Sequence, residues 1–291
     1  MVSKRRKNCK KYPIESRTTT QYAILNTQYS KMTILDNITA YKQKEVAAKK
    51  EAIPVRLLEK FPLFAKETKS LADALRISTT GIIAEHKRRS PSKSVINDKV
   101  LLPEVVSGYE NAGAKGISVL TDSNFFGGSL DDLLVAEKTV SIPILRKEFI
   151  IDPYQIYEAK AFGADAILLI AACLSAEELK QFSFLAKSLK LDVLLEVHNL
   201  EDLQKSLLPN VDMIGVNNRN LKNFNVNIEI SKKLSKEIPA DFVKISESGI
   251  SDVETIKELR TYGFEGFLIG ENFMKTENPG ETAKQFIQNL R

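Results

Sequence analysis

The sequence predicts an α/β chain folded as a (β/α)8 barrel with an N-terminal helical extension. The first observation is a count: eight short apolar segments alternate with helical stretches, at Ile82 to Lys87, Ile117 to Thr121, Pro143 to Lys147, Ala166 to Ala171, Asp192 to His198, Met213 to Asn217, Phe242 to Ser246 and Gly266 to Gly270. The second is that no Gly-x-Gly-x-x-Gly follows the first segment, which favours a closed barrel over an open doubly wound sheet. The third is parity. Residues two apart on a strand share a face, so Ile83 lines up with Glu85 and Lys87, Leu145 with Lys147, and Leu194 with Glu196. A core stripe that turns charged at its C-terminal end marks a site, because barrels of this kind carry their active sites there.

Taken in order, residues 1–32 hold eight basic side chains against Glu15, so this stretch carries +7 and the remainder −2 of the +5 total. A basic run can bind nucleic acid or an acidic surface, but like charges without interleaved aromatics read as a solvated, disordered extension over residues 1–31. Met32, which opens directly into a helical pattern, reads as a natural start. From Ile34 to about Ala52, the apolar positions Leu35, Ile38, Tyr41, Val46 and Ala47 recur at helical spacing with Lys and Glu between them, and Pro54 stops the run. A second helical segment, near Ser70 to Arg76, leads into the first strand. Between later strands, Pro103 to Ala112, Pro153 to Phe162, Ala176 to Leu189, Asn227 to Lys236 and Val253 to Tyr262 read as helices, with Gly163 and Gly263 as C-cap signals.

Composition narrows the class. A chain of 291 residues, 43% of them hydrophobic, can bury a large core as one catalytic domain over residues 32–291. No apolar run reaches the roughly 18 residues of a membrane helix, and no apolar h-region follows the basic N-terminus, so a cytoplasmic protein without a membrane partner is expected. Cys9 and Cys173 offer neither a disulfide framework nor zinc-ligand spacing. His86 and His198 sit on different strands without a carboxylate cluster, so no metal is expected. Ser248-Gly249-Ile250 follows strand seven and Gly270-Glu271-Asn272 follows strand eight. Glycines there let backbone N–H groups approach an anion, in the two loops that commonly hold phosphate in these barrels. A small phosphorylated substrate is implied.

Nine segments, in order, resemble the indole-3-glycerol phosphate synthase family of tryptophan biosynthesis. They are Ile83 to Ser92, Ser118 to Asp122, Phe126 to Leu130, Leu145 to Phe149, Gly163 to Ala166, Leu195 to His198, Gly215 to Arg219, Ser246 to Ile250 and Ile269 to Glu271. The resemblance implies an enzyme that closes the ribulose chain of 1-(2-carboxyphenylamino)-1-deoxyribulose 5-phosphate onto its aromatic ring and then loses carbon dioxide and water. It implies no metal or organic cofactor, and it leaves room for contact with other tryptophan-pathway enzymes.

Roles follow by the same resemblance. Lys147 is the leading candidate to protonate the ketone oxygen, and Lys87 orients the substrate through its carboxylate and is a second proton donor for dehydration. Glu196 assists aromatisation and dehydration, while Glu85 and Glu247 pair with the lysines; ion pairs that merely close the barrel mouth are the ordinary alternative for those two. Asn217 hydrogen-bonds substrate hydroxyls, and Arg219 stands near the anthranilate carboxylate or braces the carboxylates. Phe126, Phe149 and Leu168 form an apolar slot for the aromatic ring. Ser90, Ser248, Gly249, Gly270 and Glu271 bound the anionic ends, Glu271 through its backbone N–H. His86 has outward parity, and His198 shares the parity of Glu196 but lies beyond it at the rim.

Two positions depart from the family pattern. Glu148 stands where Asp is usual but faces away by parity, and Asn220 replaces an Asp beside Arg219, which leaves that arginine's partner open. Two other readings remain at this stage. A phosphate-sugar barrel such as phosphoribosylanthranilate isomerase would place a Cys and Asp pair at the mouth, which Glu85 and Lys87 argue against. A non-catalytic barrel would use its basic head to bind nucleic acid.

Overall fold

Eight parallel strands pair in sequence order and close on themselves, β1 hydrogen-bonding to both β2 and β8, as a TIM barrel. The computed structural model describes residues 33–221 and 223–290. The basic head over residues 1–31, Cys9 within it and Met32 as a start all lie outside the described residues. The strands are β1 Ile82–His86, β2 Gly116–Leu120, β3 Ile144–Lys147, β4 Ala166–Ile170, β5 Asp192–Val197, β6 Met213–Asn217, β7 Val243–Glu247 and β8 Gly266–Ile269. Each lies within a residue of its expected bounds at both ends. One shift matters: Glu247 is the last residue of β7, where the sequence places it just beyond the strand.

The barrel interior holds Ile83, Leu145, Ala166, Leu168, Leu194, Met213, Ile245 and Leu268 as one apolar cluster. Leu71 and Leu75, from the helix Leu71–Arg76, join it and plug the N-terminal end. Alternate residues such as Ile82, Ile117, Ile167, Val193 and Ile214 face outward into the larger cluster shared with the helices. The helix expected over Asn227 to Lys236 is shorter, Glu229–Leu234.

The N-terminal helix Ile34–Ala52 forms as its periodicity predicts, but its buried face is not purely apolar. Ile38 and Val46 are buried as expected, and between them Lys42 is buried too, at 1% exposure. Tyr41, taken as an apolar-face position, is instead 42% exposed and meets the Phe125 ring edge-on. Lys42 is tolerated because three carboxylates surround its Nζ: Glu45 at 2.8 Å, Asp122 at 2.9 Å and Glu148 at 3.1 Å. The chain of ion pairs closes on itself. Glu148 stands 3.7 Å from Arg146, Arg146 pairs with Glu158 at 2.6 Å, Glu158 lies 3.6 Å from Lys49, and Lys49 returns to Glu45 at 2.8 Å. This ring joins the helix to β3 and to the helix Tyr154–Ala161, while Tyr154 donates to the Ile53 carbonyl at 2.9 Å and holds the helix end.

Removing one member of a buried ionic cluster strands the others in low dielectric, at a cost of about 3–5 kcal/mol. Lys42→Met is therefore expected to lower unfolding free energy in urea by about that amount. Lys44→Met, on the exposed face of the same helix, is expected to change it by no more than about 0.5 kcal/mol.

Candidate active site

Ile83, Leu145, Leu194 and Ile245 lie in the barrel interior, and two residues further along each strand stand Glu85, Lys147, Glu196 and Glu247. The period of two that keeps the core apolar therefore delivers four charged groups to one layer at the C-terminal mouth. Glu85, Glu196 and Glu247 are all buried. Lys147 hydrogen-bonds to Glu247 Oε2 and stands 3.3 Å from Glu196 Oε2. Lys87 pairs with Glu85 at 2.8 Å, and Ser118 donates to the same carboxylate at 3.3 Å. Gly215 makes this crowding possible, since a Cβ there would fall 2.3 Å from Glu247 Oε1.

One ammonium among three carboxylates divides their proton affinities. Burial opposes the charge on Lys147, but Glu247, Glu196 and Glu85 overcome it and hold the lysine protonated above its ordinary range. Burial raises Glu196 while Lys147 and His198 lower it further, so it stays ionised below the usual carboxylate range. Glu85 is treated likewise by Lys87 and Lys147. Glu247 is the carboxylate left under-compensated: burial, with Glu196 and Glu85 beside it, pushes it up to about 7 despite Lys147.

Above this layer lies a cavity of about 480 Å³, lined by every position the sequence nominated. Phe126 and Phe149 face each other across 5.8 Å between ring centroids, with Leu168 also in the lining. The backbones that carry both rings are held by two of the carboxylates around Lys42: Asp122 accepts from the Phe126 N–H at 3.1 Å and Glu148 from the Phe149 N–H at 2.8 Å. The Glu148 carboxylate turns toward Lys42 and Thr121, as its parity predicts. Ile34, Leu35 and Ile38 of the N-terminal helix close one wall.

At the rim, Ser248 and Gly249 have left-handed φ of 67° and 77°. A Cβ at Gly249 would lie 2.2 Å from Val226, so glycine answers both the conformation and the close approach. The Glu271 carboxylate pairs with Lys93, and Glu271 belongs to the cavity lining. Asn217 Oδ1 accepts from the Arg219 N–H at 3.0 Å, and the Arg219 guanidinium donates to the Phe224 carbonyl at 3.3 Å. That carbonyl is the partner the Asn220 departure left open. Ser90 meets Ser92 at 3.2 Å in the loop after β1.

Sequence reasoning passed over several supports. Asn218 is buried and donates to Ser246 Oγ at 2.9 Å and the Ser248 carbonyl at 3.1 Å, fixing the loop after β7. Its signal was the Asn pair at the end of an apolar strand. Lys42 gave no signal, because it is an ordinary polar letter in an amphipathic pattern; Asp122 closes the matched segment Ser118 to Asp122, but the resemblance gives it no role there. His86 is buried outside the cavity, where burial first and Arg88 second push it down to about 4. Cys173 lies outside the cavity lining, its thiol pushed up to about 12 by burial, so the Cys and Asp pair of an isomerase is not assembled there. Among the described residues no three His, Cys, Asp or Glu side chains are grouped to hold a metal, and no helix is long and apolar enough to cross a membrane.

A carboxyl pKa raised in the folded state favours folding below its unfolded value near 4.5 and loses that contribution as pH rises through about 7. The Glu247→Gln variant removes the cost of ionisation. Its stability relative to the parent, read by thermal unfolding, is expected to favour the variant by less than about 1 kcal/mol at pH 5 and by about 3 kcal/mol at pH 8.

The sequence matches the family described as indole-3-glycerol phosphate synthase over residues 35–286. An indole-3-glycerol phosphate synthase of Bacteroides thetaiotaomicron is 49% identical over 258 residues, covering 89% of this chain and 99% of the relative. One from Delftia acidovorans is 40% identical over 263 residues, covering 87% and 98%, and one from Variovorax paradoxus is 40% identical over 256 residues, covering 85% and 96%.

Proposed function

This chain belongs to the indole-3-glycerol phosphate synthase family, and from that premise we propose how its residues divide the reaction. The enzyme converts 1-(2-carboxyphenylamino)-1-deoxyribulose 5-phosphate to indole-3-glycerol phosphate, carbon dioxide and water, in tryptophan biosynthesis. The carrying observation for the residue roles is the single layer of Lys147, Glu196, Glu247 and Glu85 beneath an aromatic slot.

Ring closure turns the C2 ketone of the ribulose chain into an alkoxide as the ring carbon bearing the carboxylate attacks it. Lys147 is firmly protonated, so its proton is always in place. An alkoxide is a stronger base than an amine, so transfer becomes favourable only as the bond forms, which is where general acid catalysis contributes. Glu247, with a pKa of about 7, then returns a proton to Lys147. Loss of carbon dioxide uses the electron pair of the breaking bond to neutralise the iminium nitrogen. Dehydration then removes the C2 hydroxyl as water with a proton from Lys87 or Lys147, while Glu196 takes a proton from the former C1 methylene, whose C–H electron pair completes the double bond of the new five-membered ring. Asn217 holds Glu196 and the substrate hydroxyls, with Glu85 fixing Lys87.

Phe126, Phe149 and Leu168 take the anthranilate ring, and Arg219 stands toward its carboxylate. Ser90, Ser248, Gly249, Gly270 and Glu271 receive the phosphate, where the short helix Glu271–Met274 begins. The apolar slot and the anionic rim lie at opposite sides of one lining, which suits a substrate that is aromatic at one end and phosphorylated at the other. A biosynthetic enzyme of this family, acting on a small phosphorylated substrate, fits a cytoplasmic setting beside other enzymes of the pathway.

Indole fluorescence on mixing protein with substrate tests the roles directly. Lys147→Ala and Glu196→Gln are each expected to lower kcat by roughly 10²–10⁴-fold while remaining folded. Wild-type rates in either variant remove that residue from the mechanism. Gly249→Ala is expected to raise KM about tenfold with little change in kcat, because a left-handed non-glycine costs about 1–2 kcal/mol at a residue that only binds.

A further inference from the structure

His198 follows β5 by one residue and shares the inward face of Glu196, yet it is not among the residues lining the cavity. Its imidazole is wedged between two carboxylates. Nε2 stands 3.4 Å from Glu196 Oε1, and Nδ1 stands 3.7 Å from Asp202 Oδ2. Both ring nitrogens are buried and neither makes a hydrogen bond among the described residues, so the two carboxylates act on the ring as nearby charges. Glu196 therefore has a separate nitrogen neighbour for each oxygen, Lys147 on Oε2 and His198 on Oε1. Asp202 is itself fixed, accepting from the His198 backbone N–H at 3.1 Å and from Asn199 Nδ2 at 3.1 Å.

We propose that His198, wedged between Asp202 and Glu196, is a positioning residue that orients Glu196 and supports its charge. This rests on Glu196 acting as the base of the reaction. A base that shared its only cation with Glu247 would lose charge stabilisation whenever Lys147 gave up its proton. A second cation, placed where no substrate atom competes for it, keeps the carboxylate available through that step. Burial lowers the affinity of His198 for its proton, but Asp202 and Glu196 more than restore it, so the ring titrates above ordinary histidine. The charged and titratable groups around it are Glu196 on its own strand, Asp202 and Lys205 on and after the helix Leu200–Gln204, Glu247 and Lys147 across the mouth, and the buried thiol of Cys173.

The chain has only two histidines, which makes the test direct. The imidazole Cε1–H signals of the full-length protein are followed by carbon-edited NMR against pH, in wild type, Glu196→Gln and Asp202→Asn. His86 serves as the internal control, titrating near 4 in all three. The His198 titration is expected above the ordinary value of about 6.5 in wild type, and to fall by about half a unit to one unit in each variant. Linkage is reciprocal, so the acid limb of kcat/KM in His198→Gln is expected to move up by a similar amount. A His198 titration unmoved by Glu196→Gln overturns the proposal. So does a His198→Gln or Asp202→Asn profile of wild-type shape and merely reduced height, which is what a packing role would give; Asp202→Asn decides the matter if His198→Gln does not fold. Failure of the base assignment is a separate result, seen as wild-type turnover in Glu196→Gln.

Discussion

Lys147 and the three carboxylates around it set the terms for the upper half of this barrel. Taking several charges out of water is costly unless each finds a partner. The partners here come from β1, β3, β5 and β7, so no two adjacent segments of sequence can satisfy one another. The alternate strands contribute to one layer because their inward residues lie at matching heights, and Gly215 on β6 leaves the volume that Glu247 occupies. Two lysines, Lys147 and the Lys87 paired with Glu85, stand against these three carboxylates. That imbalance places Glu247 near neutrality while Glu196 stays ionised, and two carboxylates with separated proton affinities are what proton-transfer chemistry at neutral pH requires.

The same strand serves two purposes through its two faces. Lys147 points into the barrel, while its neighbours Arg146 and Glu148 point outward and belong to the ion-pair ring that holds the N-terminal helix. The helix therefore docks on the strand that carries the proposed acid, and the residues it engages, Asp122 and Glu148, also hold the Phe126 and Phe149 backbones. Closing the wall of the cavity and shaping the aromatic slot are consequences of one buried lysine. A purely apolar helix face could have supplied the burial, but not the charge that Asp122 and Glu148 need as buried acceptors for those two backbones.

Much of the site was legible because it obeys the strand period. Once Ile83, Leu145 and Leu194 are read as inward, Glu85, Lys147 and Glu196 must share their face, whatever the fold around them. Asn217, Ser248, Gly249 and Gly270 were legible from their place at strand ends and in the two loops that commonly meet phosphate. Lys42 was not, since a lysine in an amphipathic helix is ordinarily solvated and nothing local announces three carboxylates from elsewhere in the chain. His198 was half legible: its parity was right, but its partner Asp202 lies on the next helix, and only the turn at Asn199 brings the two together.

What the sequence determined alone was periodic and local: eight strands, most of the helices between them, the face each strand turns inward, and the polar ends that mark the mouth. These follow from side-chain alternation and capping, which act over a few residues. The tertiary structure decided which charges meet. Whether Glu247 is a spectator or is poised near 7, whether Lys42 is solvated or buried, and which oxygen of Glu196 faces Lys147 all depend on burial and on partners far away in sequence. Electrostatic energy is set by distance and dielectric in space, and the linear chain encodes neither.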